Sequence, residues 1–67
     1  MKKWSDNLIQ LSREYLNIDG VSVKNLNGNF GILNIDEETY MVTLKSSNLR
    51  FVYDSVDEMI DNGWAVD

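Results

Sequence analysis

Between Trp4 and Ile18 the apolar side chains Trp4, Leu8, Leu11, Tyr15 and Ile18 recur at steps of four, three, four and three. That is the period of one face of an α-helix. Ile9 and Leu16 widen the stripe along one flank, with Ser5 and Ser12 lying between, while Asp6, Gln10, Arg13, Glu14 and Asn17 fill the opposite face. Ser5 suits an N-cap, and Trp4 and Ile9 have the spacing of a hydrophobic staple around it. Asp19-Gly20 is a stop signal, because glycine takes a positive φ without steric cost. The pattern predicts a helix over residues 5–18.

The period then changes from helical to alternating. Val21 and Val23 alternate with Ser22 and Lys24, and Asn27-Gly28 is the dipeptide favoured in a two-residue hairpin turn. Such a turn pairs Val23 with Ile32 and Asn25 with Phe30, and places Val21, Val23, Phe30 and Ile32 on one face. A third strand, Thr39 to Lys45, carries Tyr40, Val42 and Leu44 on one side; a fourth, Leu49 to Tyr53, carries Leu49, Phe51 and Tyr53. Ser46-Ser47-Asn48 turns between them. For the middle connection, a two-residue loop at Glu37-Glu38 sets Ile32 opposite Thr43 and mixes the faces. A three-residue loop, Asp36-Glu37-Glu38, sets Ile32 opposite Val42 and Phe30 opposite Leu44. Because a slip of one residue turns every side chain over, a sheet with one buried face is expected to take the second.

Ser55-Val56-Asp57-Glu58 reads as a capping box, with Val56, Met59 and Ile60 as the apolar side of a helix of about two turns and Asn62-Gly63 as its end. Trp64 and Val66 follow with apolar surface to hide. The expectation is a single α+β domain over residues 1–67. Its four-stranded antiparallel meander is flanked by an N-terminal helix and a short C-terminal helix (α-β-β-β-β-α), both on the same sheet face.

Composition narrows what such a domain does. A chain of 67 residues buries only about 60% of its unfolded surface, and scaffolds this small commonly rely on a disulfide, a metal or a partner subunit. Cys and His are both absent, so disulfides and the usual zinc ligands are excluded, leaving good packing or self-association. Met1-Lys2-Lys3 is not followed by the apolar run of a signal peptide. No stretch approaches the ~20 apolar residues of a membrane span, and no Asn-x-Ser/Thr sequon occurs. The expected location is cytoplasmic. Residues 1–53 hold six acidic and six basic side chains, whereas 54–67 hold five acids and no base. The whole net charge of −5 therefore sits in the last stretch of chain. Direct nucleic-acid binding there is disfavoured, since phosphate contacts need Lys and Arg.

The sequence argues against catalysis. Without Cys or His, the nucleophiles are Ser, Thr, Tyr or Lys and the bases are carboxylates or Lys. Each Ser near a predicted helix start or turn has a local role: Ser5 and Ser55 as caps, Ser46 and Ser47 in a turn. Asp36-Glu37-Glu38 lacks the alternating ligands and turn glycine of a calcium loop and reads as a solvated turn. Neither a metal nor any other cofactor is expected, and the chain is not expected to be an enzyme. Asn29-Phe30-Gly31-Ile32 echoes an aromatic RNA-binding strand only faintly, since the expected register gives Phe30 to the core and its flanks are not basic.

Two surfaces remain as candidates. One is the acidic C-terminal helix with Asp54, Asp57, Glu58 and Asp61. Asp57 and Glu58 suit a helix N-terminus, but Asp61 repels Asp57 one turn away and lies near the end that disfavours anions, so local stability does not account for it. The other is the outer sheet face, to which the three-residue loop sends Leu33, Ile35, Met41 and Val52. The favoured expectation is a small acidic protein-binding protein, an inhibitor or accessory factor. It would dock on a partner with a basic surface of the kind nucleic-acid-binding proteins present. Compact acidic accessory proteins of phages share this size and charge. The alternative is a homodimeric structural or regulatory module joined through the outer sheet face.

Overall fold

A computed structural model of the chain describes residues 3–67; Met1 and Lys2, read above for the absence of a leader, lie outside it. The elements are α1 (Asp6–Tyr15), β1 (Ser22–Asn25), β2 (Phe30–Asp36), β3 (Thr39–Leu44), β4 (Arg50–Tyr53), α2 (Val56–Asp61) and β5 (Trp64–Val66). The class and the four-stranded meander are those expected. The sheet, however, has five strands, in the order β4-β3-β2-β1-β5 and antiparallel throughout. Trp64-Ala65-Val66 finds cover for its apolar side chains by adding a strand to the free edge of β1, with Val66 opposite Val23 and Trp64 opposite Asn25.

The expected pairing of β2 needs correction on both sides. Val23 faces Gly31, not Ile32, and Leu33 faces Val42. The β1–β2 loop holds three residues: Asn25 N–H bonds Asn29 O, Gly28 N–H bonds Asn25 O, and Gly28 has φ 91°. This is a turn followed by a left-handed glycine, the second common way a hairpin uses Asn-Gly. The β2–β3 loop is the disfavoured two-residue Glu37-Glu38, with Asp36 opposite Thr39 and Glu37 at φ 55°. Both differences are one displacement, a shift of β2 by one residue against two neighbours that keep their expected faces. Gly31, Leu33 and Ile35 turn inward; Phe30, Ile32 and Asn34 turn outward. The expected inner register would have carried the amide of Asn34 into the core along with Phe30 and Ile32, and a buried amide without partners is costly.

Gly31 is what lets this face be the inner one. A Cβ there would stand 2.8 Å from the Thr43 carbonyl oxygen and 2.9 Å from Val42 Cγ1. The sheet is strongly curled. Strands β4 and β5 are its opposite edges, and four flat strand spacings would set them roughly 19 Å apart. Yet the Trp64 indole N–H on β5 donates to the Tyr53 hydroxyl on β4 at 2.9 Å, and the Phe51 and Trp64 rings lie 6.3 Å apart. The core fills the concave side with Leu16, Val23, Leu33, Val42, Leu44, Tyr53, Met59 and Trp64.

Helix α1 begins as expected, with Ser5 Oγ accepting the Leu8 N–H, but ends sooner and buries a different face. Leu11, Tyr15 and Ile18 are exposed, whereas Ser12 and Leu16 are fully buried. The reason lies in β5. Its outer edge abuts α1, and Ser12 Oγ accepts the Val66 N–H at 3.0 Å while donating to Leu8 O at 2.8 Å. Trp4 adds a second tie, its indole N–H donating to Gly63 O at 2.8 Å. The helix thus closes a strand edge that would otherwise present unpaired amides. No helix among the described residues is long and apolar enough to cross a membrane.

Candidate functional site

In an antiparallel meander, alternate strands end on the same side of the sheet. The turn after β2 and the connection after β4 are therefore neighbours, and each is acidic. Glu37 and Glu38 occupy the first. Asp54 and Asp57 flank Ser55 in the second, where Ser55 Oγ caps α2 by accepting the Glu58 N–H at 3.1 Å. These four carboxylates rim one open cleft of about 510 Å³, with Tyr40 and Val56 supplying its apolar surface and Arg13 of α1 reaching in from the side.

Arg13 pairs with Asp57 through Nη1 and Oδ1, and both side chains are more than half exposed, at 56% and 67%. An exposed pair of this kind contributes at most about 1 kcal/mol. The cleft therefore keeps four carboxylates against one guanidinium, held by a contact that is cheap to exchange. No group of three or more His, Cys, Asp or Glu side chains converges as metal ligands among the described residues. The negative charge is spread along a rim, an arrangement that matches several separated cations better than a single ion.

Of the four acidic residues singled out in the sequence, Asp54 and Asp57 line this cleft. Glu58 serves the helix start instead, its Oε2 accepting the Asp54 N–H at 3.0 Å, a capping box that reaches one residue further back than the standard one. Asp61 is exposed but outside the cleft. Sequence reasoning missed Glu37, Glu38, Tyr40 and Arg13 as neighbours of this helix. The signal was present in the meander itself, which fixes which turns share an end.

The second expected surface is corrected. Leu33 is fully buried and Ile35 packs against the core, because the shift of β2 turned them inward. Met41 and Val52 do lie on the outer face, directly opposite one another across β3 and β4, and Val52 is 59% exposed. Phe30 and Ile32 take the places vacated by Leu33 and Ile35. On α1, Leu11 and Tyr15, expected in the core, instead border a shallow apolar depression with Leu8, Val21 and Val66. Comparison of the chain with protein-family models, with curated proteins and with solved structures returned no match.

Proposed function

We propose that this chain is a non-catalytic binding protein whose acidic cleft docks a basic, flexible segment of a partner protein. The observation that carries the reading is the gathering of Glu37, Glu38, Asp54 and Asp57 around one open cleft with Tyr40 and Val56 between them. Lysine and arginine side chains suit such a site twice over, since their alkyl stems cover apolar surface while their charged heads meet the carboxylates. An incoming arginine would displace Arg13 from Asp57 at little cost, because that pair is exposed and weak. Charge complementarity of this kind speeds association and selects partners more than it adds affinity.

A peptide of alternating Lys and Tyr is a suitable probe, titrated by fluorescence anisotropy at low and high salt. The double variant Glu37→Lys/Glu38→Lys should weaken binding and flatten its salt dependence. Asp61→Lys/Asp67→Lys changes net charge by the same amount outside the cleft and should leave most of the affinity. Equal losses in the two variants would mean that the peptide responds to overall charge only, and the cleft would lose its role.

A further inference from the structure

The two edges of the sheet are treated differently. At β5 the outer edge is closed by α1, with Ser12 accepting the Val66 N–H. At β4 nothing among the described residues closes it. Leu44 N–H bonds Leu49 O, so in the antiparallel ladder Phe51 and Tyr53 exchange bonds with Val42 and Tyr40. Arg50 and Val52 then aim their N–H and C=O groups away from the sheet. These groups have no partner among the described residues. Neither the Arg50 guanidinium nor the Asp54 carboxylate has an ion-pair partner there either.

We propose that this edge pairs with the β4 edge of a second copy, antiparallel about a two-fold axis at Val52, so that Arg50 of each copy lies opposite Asp54 of the other. The phase of the ladder restricts the choice. Outward-facing groups must meet outward-facing groups, so Arg50 and Val52 face even-numbered residues of the partner. Setting Arg50 opposite Arg50 juxtaposes like charges, which is destabilising across strands. Setting Arg50 opposite Val52 leaves both charges unmatched. Only the pairing of Val52 with Val52 places Arg50 against a carboxylate, and symmetry makes that happen twice.

The same register brings two exposed Val52 side chains together on the outer face, each already beside Met41 of its own chain, forming one apolar strip between two ion pairs. Val52 N–H and C=O exchange bonds with their symmetry mates. Arg50 N–H donates to Asp54 O of the other copy, whose own N–H is occupied by Glu58. A β4-to-β5 pairing, which would build an open chain, is blocked by α1. The contact shares Asp54 with the acidic cleft and otherwise runs through backbone and through Arg50, which does not line it, so Arg50→Asp and the Val52→Cys and Arg50→Cys variants test the pairing with every cleft residue unchanged.

Sedimentation from micromolar to millimolar concentration tests the pairing. The wild-type chain should dimerise, and Arg50→Asp should raise the dissociation constant roughly tenfold or more, two favourable cross-strand pairs becoming repulsive. The swap Arg50→Asp/Asp54→Arg should restore it, an outcome no other register gives. The chain has no Cys, so single cysteines report the geometry directly. Val52→Cys should form a disulfide-linked dimer under mild oxidation, paired strands lying within disulfide reach, and Arg50→Cys should not. A wild-type chain monomeric at millimolar concentration, a swap that fails to rescue, or Arg50→Cys linking in preference to Val52→Cys would each overturn the proposal.

Discussion

Replacing Ser12 by Ala sets two well-characterised effects against each other. Alanine is the best helix former, and the exchange gains at most about 0.7 kcal/mol of intrinsic propensity. Against this stands the hydroxyl, fully buried and bonded to both Leu8 O and Val66 N–H. Leu8 O keeps the ordinary backbone bond of the helix, so its loss is small. Val66 N–H has no substitute, because it faces α1 at the outer edge of β5. Leaving a donor unmade costs about 1–3 kcal/mol when it is fully buried, and the Val66 amide, which is part-buried, falls at the lower end of that range. The orphaned amide therefore outweighs the propensity gain, and Ser12→Ala should lose about 0.5–1.5 kcal/mol. For a domain of this size each kcal/mol moves the melting temperature by about 4–8 °C, and the total stability is of the order of 3–5 kcal/mol, so the loss should be plain. Urea denaturation followed by tryptophan fluorescence gives the energy. Amide hydrogen exchange gives the location, with Val66 exchanging faster while Ala65, bonded to β1, stays protected. A variant as stable as the wild type, with Val66 exchange unchanged, would refute the claim that Ser12 closes this edge.

Two further substitutions probe the curl of the sheet. Gly31→Ala places a methyl group 2.8 Å from the Thr43 carbonyl oxygen and 2.9 Å from Val42 Cγ1, so overpacking should cost about 1–3 kcal/mol. A denaturation midpoint equal to that of the wild type would show that the strands do not approach so closely. Tyr53→Phe removes the acceptor of the buried Trp64 indole N–H and should cost about 1–3 kcal/mol, with a shift of the indole proton resonance. An unmoved resonance would mean that the two edges do not meet through this bond.

Much of the architecture was legible because several cues agreed. Ser5, Ser55 and Asn62-Gly63 mark helix ends by the chemistry of the backbone groups they satisfy, whereas Gly20 lies beyond the Leu16 cap of α1, and β3 has a single apolar face. Strand β2 was not legible from alternation, since Phe30 and Ile32 compete with Leu33 and Ile35 and both sets are apolar. The deciding residues were Asn34, which shares a face with Phe30 and belongs outside, and Gly31, whose missing side chain suits the concave side. The buried face of α1 was hidden for a different reason. Ser12 looks polar in isolation, and its burial follows only once β5 exists to supply an amide. The acidic cleft was half visible: the charge on α2 is plain, but its union with Glu37 and Glu38 depends on strand direction, which periodicity does not record.

The tie between the two ends of the chain bears on the order in which the fold assembles. Trp4 meets Gly63 across 59 positions and Ser12 meets Val66 across 54, while the meander is built from hairpins whose contacts are local. Loop closure over such separations is slow compared with hairpin formation. During synthesis the first helix leaves the ribosome long before the strand it covers, and until then its seryl hydroxyl and indole have nothing to bind. Docking of the helix and addition of β5 are therefore one late event in the assembly of this fold, and the edge of β1 stays exposed until Trp64–Val66 arrive to pair with it.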